Sequence, residues 1–589
     1  MLRRFLLLPL LLLIFVPVSN AQDYDFSDYE QTMEAMTNIV IDAHVFAVAP
    51  GHGYFEAIGE HGDPLYIAPL IDVLYFSFGL AGTEVEIYGA LEQLTGQAPT
   101  RGWRGYLEWA SENDIELPPG YDDFKGDLLS GLIDTRFAEF FDNVQETSQV
   151  NLVEAVWGGV RVDGIPSLVN ARQISPEEAL AEGDALTQFC SAGDCTYPQA
   201  DEYVFGVSID GDARAYPLRI MNWHEMFNDV IGHTPMYDAP DGEQLCNFRA
   251  PTIFRASARS GDDFVHITGE SAGCPSAGWV AIEAVEWLDS SWEILPDVAA
   301  NETELSDEAA IQGRVIGRPV MLAYCTLCGA GILYDVTIPD LTYTDTDGNL
   351  IESGETVLEF GSTGMLMRSN KLMYDRNTNT VWNAFTGTPA FGDLATTDIE
   401  LPLLPAVVTT WSDWLEDHPD TSVLSLDTGF SRTYRNGAAY SEYFNSSDLM
   451  FPSFQQDTEN VQNKEMIFGL NLDDTPRAYP LVALFNEPVL NDTLAGVDIV
   501  IISESSPERD FFEPGGAAVR AYERAGLTFS QSENPGEILD DEGTVWQITE
   551  DALIADDGRQ LNRIAGHLAF WFGWYGFYPE TDLYMPDIE

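Results

Sequence analysis

Basic side chains are scarce in this chain of 589 residues: 27 Lys and Arg stand against 96 Asp and Glu, a formal net charge of −69. Such a surface repels nucleic acid and anionic membranes, so neither is expected as a partner. No long run of acidic residues stands out, and carboxylates are too abundant for a pair of them to indicate a catalytic site. The charge is therefore typical of a heavily hydrated surface, suited to salty water or to secretion.

Long apolar runs are missing after the first residues. Arg3 and Arg4 precede an apolar stretch at 5–18, and small residues follow up to Ala21. The stretch is shorter than the ~20 residues that a membrane-spanning helix needs, and no Cys follows it as a lipid attachment point. The pattern predicts a signal peptide cleaved near Ala21. We therefore expect a soluble extracytoplasmic protein, periplasmic or secreted, with no membrane span.

Cysteine is also rare, with six residues in the whole chain. In an exported protein they suggest disulfides, although spacing alone does not establish connectivity. We expect two structural bridges, one between Cys190 and Cys195 and one between Cys246 and Cys274. The pair Cys325 and Cys328 differs, because Tyr-Cys-Thr-Leu-Cys-Gly follows an apolar strand. Two thiols at this spacing can bind one metal ion, form a redox-active disulfide, or form a plain structural disulfide.

Part of the chain occurs twice. Residues 204–229 and 467–492 align without a gap, and both contain Arg-Ala-Tyr-Pro-Leu, at Arg214–Leu218 and Arg477–Leu481. Later matches keep the same order: Thr-Val-Trp at 380–382 and 544–546, then Trp-x-x-Trp at 411–414 and 571–574. Because order and spacing are both retained, the sequence predicts two tandem copies of one domain.

The periodicity of apolar residues differs along the chain. Near the N-terminus they recur at three- and four-residue spacing, as in Ile67–Leu74, which predicts helices, whereas both copies alternate short strands with turns. We predict an α+β fold, mostly antiparallel, with strand-rich tandem domains preceded by a helical N-terminal region. The predicted boundaries are a signal peptide at 1–21, a helical domain at 22–150, a first copy at 151–425 with an insertion at about 237–316, a linker at 426–465 and a degenerate second copy at 466–589.

The second copy lacks residues that the first copy contains. His224 corresponds to Glu487, and the counterpart of Tyr324–Cys328 falls within Ile502–Pro507, which contains no cysteine. A shared site predicts this joint loss, and so does drift in a copy that no longer has a function. We take the first copy as the active one and the second as its structural partner.

The candidate metal or redox site consists of His224, Cys325 and Cys328, with Met365 and Met367 as further sulfur ligands. Imidazole, thiolate and thioether favour copper, or zinc if the methionines are spectators. In the alternative interpretation the methionines pack in the core and His224 is a hydrogen-bonded core residue. The residues expected to surround and orient the site are Asn222, Glu225, Asn228 and Asp229.

Several motifs of the first copy occur together in one known family. They are Asp-Gly-Ile-Pro at 163–166, Trp-His-Glu-x-x-Asn-Asp at 223–229, Tyr-Cys-x-x-Cys at 324–328, Phe-Gly-x-x-Gly at 360–364 and Met-Tyr-Asp-Arg at 373–376, in addition to Arg-Ala-Tyr-Pro-Leu. Over about Asp163–Ser425 the chain resembles the domain of unknown function 3179 family, with the insertion as a departure. The resemblance implies a domain and no established activity.

Three functions remain open from the sequence. The first is an exported metal-binding domain, with copper or zinc, or a metal-dependent redox domain. The second is a thiol–disulfide oxidoreductase that uses Cys325 and Cys328, with His224 adjusting the thiol pKa. The third is a non-catalytic extracellular binding or structural protein whose partner is a small molecule, a metal ion or another protein. No Gly-x-Ser-x-Gly elbow, P-loop, dinucleotide fingerprint or His-Glu-x-x-His helix indicates another chemistry.

Overall fold

The computed structural model describes residues 25–585 apart from 47–52, 186–195, 233, 241, 243, 249–252, 270–273, 288–291, 299–310, 316, 347, 436, 454–460 and 506–516. The predicted signal peptide lies outside these residues. Across the described parts of the chain, no helix combines the length and the apolar character needed to cross a membrane.

The two disulfides expected from the sequence have different outcomes. The predicted bridge between Cys246 and Cys274 is confirmed, with an S–S distance of 2.05 Å. Cys190 and Cys195 both lie outside the described residues. The bridge expected between Cys190 and Cys195 is therefore not confirmed and stays a prediction.

Residues up to Leu132 form a helical unit of their own, as the periodicity predicts. Apolar side chains at three- and four-residue spacing, such as Ile67, Leu70 and Leu74, are buried inside it. Its helices are α1 (Tyr29–Phe46), α2 (Tyr54–His61), α3 (Ile67–Phe76), α4 (Ala81–Thr95), α5 (Trp103–Glu112) and α6 (Tyr121–Leu132). The helical prediction for the N-terminal region is confirmed.

The first copy belongs to a second unit that begins at Ile133. Up to the insertion its elements are α7 (Phe137–Phe140), β1 (Val156–Trp157), β2 (Leu168–Val169), β3 (Gln173–Ile174), α8 (Pro176–Ala185), β4 (Tyr203–Ile209), β5 (Asp212–Pro217), α9 (Leu218–His224) and β6 (Met226–Ile231). The repeated Arg-Ala-Tyr-Pro-Leu motif thus supplies most of β5 and the first residue of α9. Asp210 and Gly211 both adopt positive φ, which makes the tight β4–β5 turn.

The insertion folds as a separate antiparallel sheet. Its strands are β7 (Thr234–Tyr237), β8 (Gln244–Phe248), β9 (Ile253–Ser260), β10 (Phe264–Thr268), β11 (Ala277–Ala281), β12 (Val285–Trp287) and β13 (Ile311–Val315), in the order β12-β13-β9-β10-β11-β7-β8. A core of its own includes Phe254, Val265 and Val280. The Cys246–Cys274 disulfide packs against this core and staples the insertion.

After the insertion the chain returns to the first copy. Its remaining elements are β14 (Arg318–Cys325), β15 (Ala330–Asp335), β16 (Thr337–Thr344), β17 (Leu350–Val357), β18 (Phe360–Met367), β19 (Asn370–Asp375), β20 (Val381–Asn383), β21 (Thr388–Phe391), β22 (Leu403–Leu404), β23 (Val407–Thr410), α10 (Trp411–Asp417) and β24 (Ser422–Leu424). They form the sheets β23-β4-β5-β24-β3, β2-β6-β14-β15-β22 and β1-β18-β19-β20-β21, with β16-β17 as a hairpin. Only the pairs β2/β6 and β5/β24 are parallel among these described strands.

A short helix, α11 (Ser441–Phe444), lies in the segment that leads to the second copy. The second copy contains β25 (Met466–Leu472), β26 (Thr475–Pro480), α12 (Leu481–Asn486), β27 (Val489–Leu494), β28 (Val497–Ser505), β29 (Ala517–Glu523), β30 (Phe529–Gln531), β31 (Glu537–Asp540), β32 (Val545–Ile548), β33 (Ala552–Ala555), β34 (Gln560–Ile564), β35 (His567–Phe570), α13 (Trp571–Phe577) and β36 (Asp582–Leu583). Its sheets run β35-β25-β26-β36 and β27-β28-β29-β34-β33-β32-β31-β30. The predicted α+β, mostly antiparallel fold is confirmed.

The two copies repeat individual contacts as well as strand order. The side chain of Asn228 bonds both backbone groups of Phe360, at 2.8 and 2.9 Å, and Asn491 does the same to Phe529, at 2.8 Å each. The second tryptophan of each Trp-x-x-Trp motif also makes the same contact in both copies. The indole N–H of Trp414 donates to the hydroxyl of Thr421, and that of Trp574 donates to the hydroxyl of Thr581, each at 2.8 Å. The duplication predicted from the sequence is therefore a duplication of structure.

The copies pack on each other reciprocally. Strand β15 of the first copy lies beside β35 of the second, and β29 of the second copy lies beside β23 of the first. Strands β15 and β29 hold the same place in their copies, as do β23 and β35. An interface in which each partner uses the same pair of surfaces is the arrangement of a two-fold dimer. The second unit is thus a pseudo-dimer on one chain.

Candidate functional site

The cysteine pair occupies the turn between β14 and β15 of the first copy. Cys325 is the last residue of β14 and pairs with Ala330, so residues 326–329 form the turn itself. Gly329 adopts φ of 62°, which closes the turn in a conformation that favours glycine. Both thiols are free, Cys325 with 7% of its surface exposed and Cys328 with none. The structure therefore places two free thiols in one turn, and both cysteines are buried.

The pKa values of the two thiols shift in opposite directions. Burial raises the pKa of Cys325, but hydrogen bonds to its sulfur outweigh burial and the net shift is downward. The donors are the thiol of Cys328 and the backbone N–H groups of Leu327, Cys328 and Lys371. Burial raises the pKa of Cys328 well above its usual value, and the neighbouring Cys325 raises it further. Cys325 is thus the better thiolate of the pair.

A buried ion pair lies next to the thiols. Nζ of Lys371 contacts Oε2 of Glu225, and both residues are almost wholly buried. Glu225 follows α9 at φ of 52° and accepts a 2.7 Å bond from the N–H of Tyr324, next to Cys325. Burial lowers the pKa of Lys371 well below its usual value. The ion pair joins β19, which carries Lys371, to the end of α9, which Glu225 follows. The backbone N–H of the same Lys371 donates to the Cys325 sulfur.

His224 is fully buried and both of its ring nitrogens have partners. Nδ1 lies 2.9 Å from the carbonyl oxygen of Pro166, and Nε2 contacts the hydroxyl of Tyr434. Burial lowers the pKa of His224 to about 4, so the ring is neutral near pH 7. A ring with both nitrogens engaged has no lone pair left for a metal ion unless Tyr434 moves. Within the described residues, no three His, Cys, Asp or Glu side chains form a group that would hold a metal.

The other residues predicted for the site take structural positions. Met365 and Met367 are both buried on β18. Asp229 binds Arg214 at 2.9 Å and the hydroxyl of Tyr216 at 2.8 Å. Asn228 binds the backbone of β18, as described above, and Asn222 has a buried side-chain oxygen without a partner. Of the predicted surrounding residues, Glu225 is the one whose side chain reaches the cysteine turn, where Thr326 donates to it at 3.4 Å.

Sequence reasoning missed Lys371. It is the one basic residue in the buried strand Asn370–Asp375, and a lysine among buried apolar residues is a usable signal. The duplication offers a second signal, because the strand ends at Asp375 in the first copy and at Asp540 in the second, and both carboxylates bind a tryptophan. Four residues before each aspartate stand Lys371 and Gly536. Lys371 is therefore specific to the first copy.

Strand pairing gives the second-copy counterparts of the site. The 2.7 Å bond from Tyr324 N–H to the carbonyl of Glu225 recurs as a 2.8 Å bond from Ser503 to Pro488. Glu504 therefore stands where the first copy has Cys325. The counterpart of Cys328 is Pro507, which lies outside the described residues. The second copy has thus replaced Cys325, Glu225 and Lys371 together.

The second copy and the intervening segment cover the cysteine turn. The N–H of Phe570 donates to the carbonyl of Cys328 at 2.7 Å, and the hydroxyl of Tyr443 donates to the carbonyl of Leu327 at 2.6 Å. Gly573 of α13 packs so close that an added Cβ would lie 2.7 Å from Cβ of Cys328. We call Tyr443, Phe570 and Gly573 the cover.

These features define a strand-rich tandem α+β protein with a buried dithiol turn in one of its two copies. The chain belongs to the family described as protein of unknown function (DUF3179), whose model matches residues 162–237 and 307–581. The match leaves out most of the predicted insertion and continues beyond Ser425 through most of the second copy. No curated protein and no solved structure matches the chain.

Proposed function

We propose that the first copy is a thiol–disulfide oxidoreductase domain in which Cys325 and Cys328 are the redox-active pair. The observation that supports this most directly is that two free thiols share one tight turn between β14 and β15. The directions of their pKa shifts agree with it. Oxidoreductase pairs use one accessible thiolate with a lowered pKa to attack and a second, protonated thiol to resolve. Cys325 has the lowered pKa and keeps 7% of its surface exposed, whereas Cys328 has the raised pKa and no exposed surface.

The reaction balances with a disulfide as the oxidant. The Cys325 thiolate attacks one sulfur of a substrate disulfide, forms a mixed disulfide and releases the other sulfur as a thiolate, which takes up a proton. Cys328 then loses its proton and attacks the Cys325 sulfur, which releases the second substrate thiol and leaves a Cys325–Cys328 disulfide. Two electrons pass from the protein dithiol to the substrate, and the reverse sequence oxidises a substrate dithiol.

The surroundings of Cys325 suit the attacking role. Three backbone N–H groups near its sulfur stabilise a thiolate without supplying a mobile charge. One of them belongs to Lys371, which is anchored through its side chain to Glu225. The contacts of the cover described above fall on Leu327 and Cys328.

The test compares the two thiols directly. Alkylation of the native, reduced protein with iodoacetamide near pH 7, followed by mass spectrometry, is expected to modify Cys325 well before Cys328. Equilibration with glutathione buffers is expected to give a reversible Cys325–Cys328 disulfide, and the Cys328→Ser variant should trap a mixed disulfide on Cys325. The Cys246–Cys274 bridge serves as the internal control. Equal alkylation, or a pair that never oxidises, would refute the proposal.

A soft metal ion is the second candidate, because one turn holds two buried sulfurs and favours the thiolate at one of them. Two thiolates suit copper(I), whereas structural zinc takes four ligands. The ligands of such a metal would be Cys325 and Cys328 alone, because both ring nitrogens of His224 already have hydrogen-bond partners. Metal analysis of the protein as purified separates the candidates: one equivalent of metal that is lost in Cys325→Ser supports this one.

The proposed location is extracytoplasmic. It rests on the apolar N-terminal stretch of the sequence, and the Cys246–Cys274 bridge agrees with it because structural disulfides persist in oxidising compartments. Sequencing of the mature N-terminus tests it: processing after Ala21 would leave Gln22 first, and an unprocessed Met1 in the native host would contradict it.

A further inference from the structure

A cavity of about 100 Å³ lies where β15 of the first copy meets β35 of the second. Tyr334, Phe385 and Leu403 line it from the first copy, and His567, Trp574 and Tyr578 line it from the second. At roughly 30 Å³ per water, it has room for a group of a few heavy atoms. The cavity therefore suits a small headgroup better than a sugar ring.

The pseudo-symmetry of the copies provides a counterpart for comparison. Tyr334 of β15 pairs across the sheet with Leu403, and Tyr522 of β29 pairs with Arg563. The hydroxyls agree too: Tyr334 donates to the carbonyl of Phe385 at 3.0 Å, and Tyr522 donates to that of Thr549 at 2.6 Å. Leu403 in the cavity thus takes the place of an arginine at the other interface.

At that other interface a cation is built in. The guanidinium carbon of Arg563 lies 5.1 Å from the centroid of the Tyr522 ring, and its Nη1 donates to the Tyr522 hydroxyl at 2.9 Å. Glu550 balances the charge, with an oxygen 3.6 Å from Arg563. Tyr522 of the second copy is therefore in contact with a guanidinium group, whereas its first-copy equivalent, Tyr334, lines the cavity.

The cavity has features that suit a cation but no basic side chain at the position of Arg563, where Leu403 stands. Five of its eleven lining residues are aromatic, and aromatic rings attract cations through their π faces. Glu400 is an exposed residue that also lines the cavity. Burial raises the pKa of Tyr578 to about 12, and the charge of Glu400 contributes to this shift. A carboxylate therefore lies close to the aromatic lining. Burial lowers the pKa of His567 to about 4, which leaves that ring uncharged near pH 7.

We propose that this cavity binds the guanidinium headgroup of a small organic cation, which takes the place that Arg563 occupies at the equivalent interface. Tyr334 and its aromatic neighbours contact the headgroup, and Glu400 supplies the opposite charge. The site is separate from the cysteine turn, so it stands whether or not Cys325 and Cys328 are redox-active.

Titration of the full chain with methylguanidinium, followed by calorimetry and by the fluorescence of Trp574 among the other tryptophans, tests the site. Methylurea, a neutral analogue of the same shape, is the ligand control. Leu403→Arg should fill the cavity as Arg563 fills its counterpart, and Leu350→Arg adds the same charge at a residue that is 66% exposed and does not line the cavity. Glu400→Gln, at an exposed residue, removes the charge with little risk to folding.

Saturable binding of methylguanidinium but not methylurea is expected, with binding lost in Leu403→Arg, unchanged in Leu350→Arg and about three- to thirtyfold weaker in Glu400→Gln. If methylguanidinium binds no better than methylurea, or if Leu403→Arg binds it as the unaltered protein does, the proposal is wrong. Tetramethylammonium binding more tightly than methylguanidinium would overturn the assignment to guanidinium. Should Leu403→Arg fail to fold, full-strength binding in Glu400→Gln is enough to refute the role of the carboxylate.

Discussion

Phe570 and Cys328 are joined by a 2.7 Å hydrogen bond from the backbone N–H of Phe570 to the backbone carbonyl of Cys328. The bond connects the start of α13 in the second copy to the dithiol turn of the first. It belongs to the same contact in which β35 lies beside β15. The copy without cysteines therefore forms part of the wall around those of the other copy.

The closeness of α13 to Cys328 predicts a difference between two glycines of one helix. A Cβ at Gly573 would lie 2.7 Å from Cβ of Cys328, whereas a Cβ at Gly576 would meet nothing closer than 3.5 Å. We expect Gly573→Ala to lower the free energy of unfolding by about 1–3 kcal/mol, the usual cost of overpacking. Gly576→Ala is the control, since both gain helix propensity. Urea unfolding measures both, and equal effects would contradict the packing.

The Lys371–Glu225 contact predicts strong coupling between two buried side chains. Removing one partner leaves the other as an uncompensated buried charge, which costs about 3–5 kcal/mol. We expect Lys371→Met and Glu225→Gln each to destabilise the protein, and the double variant to lose less than their sum. A double-mutant cycle by urea unfolding gives the coupling energy, and strict additivity would show that the two side chains do not interact.

The duplicated arginines predict unequal costs for the same substitution. The side chain of Arg214 is 3% exposed between Asp212 and Asp229, whereas that of Arg477 is 22% exposed beside Asp492. We expect Arg214→Met to cost about 3–5 kcal/mol, because buried carboxylates lose their partner. Arg477→Met should cost about 1 kcal/mol, since water screens the exposed pair. Thermal and urea unfolding of the two variants provide the comparison, and a larger loss at Arg477 would reverse it.

His567 predicts a dependence of stability on pH. Burial lowers its pKa from 6.5 to about 4, so the unfolded chain takes up the proton first as the pH falls. Above about pH 6.5 the ring is neutral in both the folded and the unfolded state. As the pH falls from about 6.5 to 4, the free energy of unfolding decreases by up to about 3 kcal/mol, because only the unfolded chain takes up the proton. His567→Gln should reduce the slope of the stability curve across this window, and the part due to His224, whose pKa is also lowered to about 4, should remain. Unfolding free energies at several pH values test this, and an unchanged slope would mean that the ring titrates normally in the folded protein.

Most of the architecture was predictable because it depends on local pattern. The spacing of Ile67, Leu70 and Leu74 indicates a buried helix face, and the repeated Arg-Ala-Tyr-Pro-Leu motif indicates the duplication. The reciprocal packing of the copies was not predictable, since it depends on contacts between residues hundreds of positions apart that leave no periodicity in the sequence. Cys246 and Cys274 could be paired only because the insertion isolates them from the other cysteines.

The arrangement around the candidate site was predictable in part. The loss of cysteine from the second copy correctly singled out the turn at Cys325 as specific to the first copy. His224 was grouped with the cysteines because it disappears in the same copy, but its nitrogens bind Pro166 and Tyr434, neither of which carries a recognisable motif. Lys371 was missed because a single lysine in an apolar strand resembles a solvent-facing edge residue until the strand is placed in the fold.

Both halves of the reciprocal interface lie on one chain, so their association does not depend on protein concentration as that of a homodimer does. The intervening segment keeps one half within reach of the other at a high effective concentration. Dilution therefore does not separate the copies or uncover Cys328. In a homodimer every substitution appears in both subunits, whereas in this chain a substitution changes one copy alone. The two ends of the interface can therefore differ: Arg563 packs on Tyr522 at one end, and a cavity remains beside Tyr334 at the other.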